Sequence, residues 1–409
     1  MSWADRNLGE LCSLITDGKH GDCKNEEGSG FFFISCKDVK DGRLNYDNAR
    51  QIVRTDFAET HRRTDLKPGD VLLTNSGTIG RLAIAPDDDK TERTTFQKSV
   101  AVLKPIRELI TPHFLYYKLA AENTRLINSA GGAAQKNLLL GELRRFSIRI
   151  PPIAMQCSIT STLSAYDDLI ENNERRIRIL EELARRLYRE WFVHFRFPGH
   201  ERVKLVESAV GRVPEGWEVK RLGDLAEQVR DSVMPDGVPP DTPYFGLEHL
   251  PRRSITLGEW GAASAVQSTK LAFRKGDILF GKIRPYFHKV GVAPVDGLCS
   301  SDTIVIRSLR PDHFGLVLGC VSSDEFVAHA TQTSQGTKMP RANWGVLTRY
   351  PLPLPPVRVL RQFSSFATDA VAMTQNLLFR NRNLRETRDL LLPKLVSGEV
   401  DVSALTIDR

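Results

Sequence analysis

The spacing of apolar side chains changes character twice along the chain, and each change marks a long helix. Between Pro152 and Pro198, and again between Pro356 and Pro393, there is neither glycine nor proline. In the first stretch the apolar positions are Ile159, Leu163, Tyr166, Ile170, Ile177, Leu180, Ala184, Leu187 and Trp191, with Asn173 in the one polar slot. Steps of four and three in alternation keep one seam turned toward a partner helix. Glu171, Glu174, Arg175, Arg178, Glu182 and Arg186 fall on the other faces at ion-pair spacing. The second stretch is looser: Phe363, Phe366, Ala370, Met373, Leu377, Leu384 and Leu391, with Arg380 and Thr387 between them. A helix of about 36 residues is roughly 54 Å long, more than one lobe can cover. The two helices are expected to bury each other and to hold two lobes apart.

Both helices are approached through one phrase. Leu143-Arg144-Arg145-Phe146-Ser147-Ile148-Arg149-Ile150-Pro151-Pro152-Ile153 stands against Leu347-Thr348-Arg349-Tyr350-Pro351-Leu352-Pro353-Leu354-Pro355-Pro356-Val357, and 347 − 143 and 357 − 153 both give 204. The lobes before the helices repeat as well. Leu222-Gly223-Asp224-Leu225 answers Leu8-Gly9-Glu10-Leu11, and Tyr244-Phe245-Gly246-Leu247 answers Phe33-Ile34-Ser35-Cys36. Gly276-Asp277-Ile278-Leu279 answers Gly69-Asp70-Val71-Leu72, and Pro311-Asp312-His313-Phe314 answers Thr111-Pro112-His113-Phe114. A tandem repeat on this scale means two copies of one fold.

In the first lobe Phe31–Ile34, Val71–Thr74, Arg81–Ala85 and Gln97–Lys104 read as strands, separated by turns at Lys40-Asp41-Gly42, Lys67-Pro68-Gly69-Asp70 and Ser76–Gly80. Thr111–Asn128 reads as a helix opened by a threonine cap with proline after it. Strands followed by helix make each lobe α+β. The predicted division is lobe 1–150, helix 151–197, linker 198–214, lobe 215–354, and helix with tail 355–409.

Composition narrows the class. A 41% hydrophobic, 26% charged chain of 409 residues is an ordinary globular one. Its net charge of +7 favours a polyanionic partner weakly. No stretch of 18 apolar residues occurs and the N-terminus has no apolar signal region, so a cytoplasmic protein is expected. Six cysteines include no C-x-x-C pair, and His20 with Cys23 lacks the second pair that a zinc site needs.

The strongest binding signal is Gly281-Lys282-Ile283-Arg284-Pro285-Tyr286-Phe287-His288-Lys289, with cations, a histidine and aromatics and no acid among them. Such residues neutralise phosphates or read base edges, which makes Lys282, Arg284, Tyr286, His288 and Lys289 candidate DNA contacts. A second signal is Gln135-Lys136-Asn137 after Gly131-Gly132, opposite Lys338 and Arg341 after Gly336. Asn75, Ser76 and Thr78 form a similar polar loop, and Lys19 and His20 lie in the glycine-flanked loop Ile15–Gly21. Catalytic patterns are missing: there is no phosphate-loop motif, G-x-G-x-x-G, H-E-x-x-H or G-x-S-x-G. The proline pairs lack the Asp/Asn-Pro-Pro-aromatic form of an adenine methyltransferase.

Five phrases together resemble one family, the specificity subunits of Type I restriction-modification systems. They are Leu8-Gly9-Glu10-Leu11 with Thr16-Asp17-Gly18; Gly276-Asp277-Ile278-Leu279-Phe280 with Arg284-Pro285-Tyr286; the proline-rich approach to each helix; Val213-Pro214-Glu215-Gly216-Trp217; and Leu391-Leu392-Pro393-Lys394-Leu395-Val396-Ser397-Gly398-Glu399. The resemblance implies two α/β target-recognition domains, each gripping half of a split duplex DNA target, joined by long helices in an antiparallel coiled coil. It implies a non-catalytic chain without a cofactor of its own. Two methyltransferase subunits using S-adenosylmethionine, and motor nuclease subunits using ATP and magnesium, would be its partners. One departure is plain: the loop after Gly69-Asp70 is Thr74–Gly80, not a second R-P-Y phrase, so the half-sites are expected to differ. A stand-alone DNA-binding regulator or decoy subunit is the alternative, and co-purification of a methyltransferase separates the two.

Overall fold

The computed structural model describes residues 3–40, 42–131, 136–336, 338–400 and 402. Two compact units emerge, Met1–Asp168 with Leu384–Arg409, and Leu169–Asn383, so each takes in part of both long helices. Among the described residues no helix is long and apolar enough to cross a membrane.

In the first unit an antiparallel sheet runs Cys12–Asp17, Val100–Pro105, Val71–Thr74, Leu82–Ile84. In the second the same order recurs as Ala226–Val229, Thr303–Ser308, Ile278–Gly281, Val290–Val292. A second sheet carries a parallel pair in each unit, Phe32–Ile34 with Thr94–Phe96 and Pro243–Phe245 with Gly297–Cys299. The helices Pro112–Ala121 and Asn123–Asn128 correspond to Phe314–Val321 and Asp324–Gln332. The helix Arg54–Thr64 has no such counterpart among the described residues of the second unit, where the strands Gly261–Ala262 and Lys270–Phe273 occupy that part of the chain.

The repeated phrases serve the fold. Leu8, Leu11 and Leu143 are fully or almost fully buried, each contributing about 1.5–3 kcal/mol. Gly9 lets the short helix approach its neighbour: a Cβ there would sit 3.1 Å from the Arg144 carbonyl oxygen. At Gly223 the equivalent distance is 2.9 Å, to Thr348. The acid that follows caps the turn, Glu10 accepting from the Asn7 amide at 2.9 Å and Asp224 from the Arg221 amide at 2.8 Å. Gly69 and Gly276 turn the chain at φ of 89° and 90°. Asp70 and Asp277 close those turns on the Lys67 and Arg274 amides at 2.8 Å each, and pair with Lys104 and Arg307 at 2.6 Å.

Several expectations change in detail. Residues 198–214, expected as a linker, contain a hairpin, Leu205–Ser208 with Gly211–Pro214, turned at Gly211 with φ of 94°. The strand expected at Gln97–Lys104 divides, because Gln97–Ser99 turns between Thr94–Phe96 and Val100–Pro105. Thr111 caps its helix through the Phe114 amide as expected, but the helix breaks at Glu122.

The long helices are Ile153–Tyr188 and Val357–Ser397, of 36 and 41 residues; the second passes through Pro393 rather than stopping before it. They run antiparallel, since partner numbers fall along the second helix as they rise along the first. In the second unit Asn173 meets Asn381 and Tyr188 meets Phe363. In the first, Asp167 meets Arg388, while Ile159 and Leu163 share a core with Leu395. The polar slot at Asn173 is an interhelical pair: its amide donates to Asn381 Oδ1 at 2.8 Å, and Asn381 donates to the Ile170 carbonyl at 3.1 Å. Both residues are buried, an arrangement that rejects shifted registers. On the second helix Met373 is 53% exposed, and Thr374, 2% exposed, takes the seam, its hydroxyl returned to the Val371 carbonyl.

Near its end the first helix packs on the second unit's lobe through a stripe displaced from the predicted seam, namely Glu181, Tyr188 and Phe192. Glu181 Oε1 accepts from the Ser254 hydroxyl and from the Ile255 and Thr256 amides at 2.8, 3.0 and 2.9 Å. Glu181→Ala would orphan amides at a buried site, at a cost of about 2–4 kcal/mol. Thermal unfolding should record that loss, and an unchanged melting temperature would show that the loop is held by other contacts.

Candidate nucleic-acid interface

In the second unit the segment Lys282–Lys289 connects the hairpin strands Ile278–Gly281 and Val290–Val292. Its backbone is bonded on three sides. The Lys282 amide donates to the Asp302 carbonyl at 2.9 Å, and the Ala342 amide to the Lys282 carbonyl at 2.9 Å. The Arg284 amide donates to the Pro340 carbonyl at 2.8 Å, and the Arg253 amide to the His288 carbonyl at 2.9 Å. The two basic signals of the sequence, Lys282–Lys289 and Lys338–Arg341, therefore meet at one junction. Arg253, Arg284 and His288 hold left-handed backbone at φ of 58°, 49° and 53°. Strain of this kind costs on the order of 1–3 kcal/mol per residue and gathers at functional sites.

The side chains divide between surface and support. Lys282 donates to the Ser301 carbonyl at 2.6 Å, and its ammonium and the Arg341 guanidinium lie 3.8 and 3.6 Å from one carboxylate oxygen of Asp302. A phosphate could replace that carboxylate between the two cations. Tyr286 is 51% exposed, and Lys338 is exposed beside the junction. His288 is turned inward instead. Its Nε2 meets the Ser322 carbonyl at 2.9 Å, and burial pushes its pKa below the ordinary imidazole value. A neutral, buried ring is a prop for the loop and not a cation presented to DNA. Lys289 is half spent in the same way, its ammonium bonded to the Leu247 carbonyl and its pKa lowered by burial.

The first unit builds the same junction from different chemistry. The Asn75 amide donates to the Ser99 carbonyl at 3.0 Å, the Leu138 amide donates to the Asn75 carbonyl at 2.8 Å, and Ser76 bridges Asn137. Position for position, Asn75 matches Lys282, Ser99 matches Asp302, Asn137 matches Arg341 and Leu138 matches Ala342. Buried side-chain oxygens of Asn75 and Asn137 have no hydrogen-bond partner among the described residues, which leaves acceptors unsatisfied at the junction itself. Thr78 and Lys136 are exposed beside them, and Gln135 lies outside the described residues. Lys19 and His20 border the same Gln97–Val100 turn, Lys19 through backbone bonds with Phe96 and Lys98. The Lys19 ammonium rests 3.2 Å from Glu59, and exposed His20 lies 3.8 Å from Asp17.

Reading the sequence missed two members of this surface. Asp302, the carboxylate shared by the cations, lies far from both along the chain. Arg252 arrives from another loop, its guanidinium 4.1 Å above the Phe287 ring. The repeat itself was the available signal, since it sets Asn75 against Lys282 (282 − 75 = 207) and Asn137 against Arg341 (341 − 137 = 204) and so aligns the two junctions. Among the described residues no group of three metal-ligating side chains is close enough to hold an ion.

Residues 1–182 match the family model described as the Type I restriction modification DNA specificity domain. The chain is 26% identical to the Type I restriction enzyme MjaIX specificity subunit of Methanocaldococcus jannaschii, over 82% of this chain and 79% of that one. It is 25% identical to the EcoDI specificity subunit of Escherichia coli, over 98% and 89%. The crystal structure of a Type I restriction-modification S subunit from M. genitalium shares the fold, with a TM-score of 0.60 over 96% of both chains at 13% identity. With the tandem α+β lobes and the antiparallel helices, the chain is similar over nearly its whole length to Type I restriction-modification specificity subunits, and its first 182 residues carry the match to the DNA specificity domain.

Proposed function

We propose that the chain reads a two-part duplex DNA target and brings partner subunits to it. Each unit recognises one block of bases through its junction, and the long helices set the unread gap between blocks. The observation that carries this reading is the pair of equivalent junctions with unlike chemistry, neutral amides and hydroxyls in one and paired cations with aromatics in the other. Two copies of one scaffold with different surfaces suit two different sequences of one polymer. Backbone neutralisation by Lys19, Lys136, Lys282, Lys338 and Arg341 would position the duplex, and Asn75, Ser76, Thr78, Asn137, Arg284 and Tyr286 lie where base edges would be met. Two methyltransferase subunits binding S-adenosylmethionine would supply adenine methylation. Motor nuclease subunits using ATP and magnesium would supply cleavage, and the assembly would work in the cytoplasm. The chain itself holds no cofactor in this reading.

The test is a methyl-transfer assay with homogeneous chain, alone and with its methyltransferase partner. The expected result is no transfer and no cleavage by the chain alone, and sequence-specific transfer with the partner. Transfer by the chain alone would overturn the non-catalytic role. Failure of any methyltransferase to co-purify would favour the stand-alone regulator.

A further inference from the structure

Arg252 lies outside the basic segment that the sequence singles out, yet it stands at the same junction. It is exposed, and its guanidinium carbon is 4.1 Å from the centre of the Phe287 ring. Phe287 is held in turn: Tyr286 meets it edge-on at 4.9 Å, and its amide donates to the Arg284 carbonyl at 2.9 Å. The backbone under both residues is tied, since the Arg253 amide donates to the His288 carbonyl at 2.9 Å. The neighbouring Arg253 is consumed by Asp324 at 2.8 Å. The Arg252 guanidinium, among the described residues, has no carboxylate or hydrogen-bonded partner.

An arginine stacked on an aromatic face keeps its donors in one fixed plane, directed outward. A phosphate contact has no need of that plane, because a flexible ammonium serves as well. A bidentate contact to the O6 and N7 edge of guanine does need it. We infer that Arg252 is a specificity-determining residue of the second unit, reading one guanine of its block, and that Phe287 is the residue that positions it. The inference rests on the reading of the junction as a DNA surface.

Selection from a randomised duplex library, using the chain in the complex it forms with its partner, tests it. In Arg252→Ala the preference for guanine at one position of one block should fall about 5- to 150-fold, the worth of one bidentate pair. The other positions and the salt slope should stay unchanged. Arg252→Lys should lose the same position, because it keeps the charge without the plane. Phe287→Leu should weaken that position, and Phe287→Tyr should keep it. A uniform loss across all positions, with the salt slope reduced by about 0.9, would make Arg252 a phosphate contact and overturn the inference. An unchanged preference in folded Arg252→Ala would overturn it too. If the unaltered chain selects no sequence, the DNA-reading role itself fails; if it selects two blocks and Arg252→Ala selects the same two, only the role of Arg252 fails.

Discussion

Replacing Lys282 and Arg284 together by alanine should weaken binding of a target duplex on the order of 50-fold at about 0.1 M salt, and should flatten the salt dependence. Neutralising one phosphate fewer lowers the log–log slope by about 0.9, the share expected of Lys282, while loss of Arg284 should relax one base of the second block. The structure makes Lys282 the more informative of the pair. Its ammonium shares the Asp302 carboxylate with Arg341, so removing it leaves an acid facing the duplex with one cation to offset it. The proposed recognition surface of the first unit is untouched by these changes. Its block should therefore be selected as before, while occupancy of the second collapses. Affinity unchanged at every salt concentration would mark the loop as a structural element. A relaxed base with the slope intact would mark one of the two residues as a base reader.

The architecture was legible because its signals are periodic or repeated. Heptad steps marked the first helix, and the offset of 204 tied the two lobes together. Apart from Arg284-Pro285-Tyr286, which lies at the junction, the repeated phrases serve as scaffold: Gly9 and Gly223 allow close packing, and Asp70 and Asp277 close turns and hold Lys104 and Arg307. Family likeness therefore resides mainly in what folds the lobes, and the proposed reading surface lies where the copies differ. What a linear pattern could not give was orientation. His288 stood in the most basic segment and turns inward, because the left-handed backbone at Arg284 and His288 curls the loop back. Asp302 reaches the junction from a distant segment beside the paired strand Thr303–Ser308, and Arg252 through a loop tied to His288, neither of which spacing along the chain encodes. The second helix misled for a related reason: buried Thr374 and Asn381 satisfy their polar groups locally or across the seam, so they do not look apolar in sequence.

Lengthening both helices should change the target without changing its blocks. The boundaries Asp168/Leu169 and Asn383/Leu384 separate the units along the chain. On each helix the boundary falls between the contacts Asp167–Arg388 and Asn173–Asn381. Four helix-forming residues inserted at both boundaries add about one turn, roughly 6 Å, to each helix. The Asn173–Asn381 lock and both junctions keep their own surroundings. At about 34 Å for 10 base pairs, the unread gap should grow by one or two base pairs. Methylation of the original sites should be lost almost completely, since the old spacing no longer matches.

The most direct measurement of the central claim is the genome-wide map of adenine methylation in cells carrying the methyltransferase partner with the native chain, with the lengthened chain, or with neither. The predicted result is two short unrelated blocks at a fixed gap with the native chain, the same blocks at a longer gap with the lengthened chain, and no such motif without either. Full methylation at the original gap by the lengthened chain, or altered bases in either block, would contradict the account.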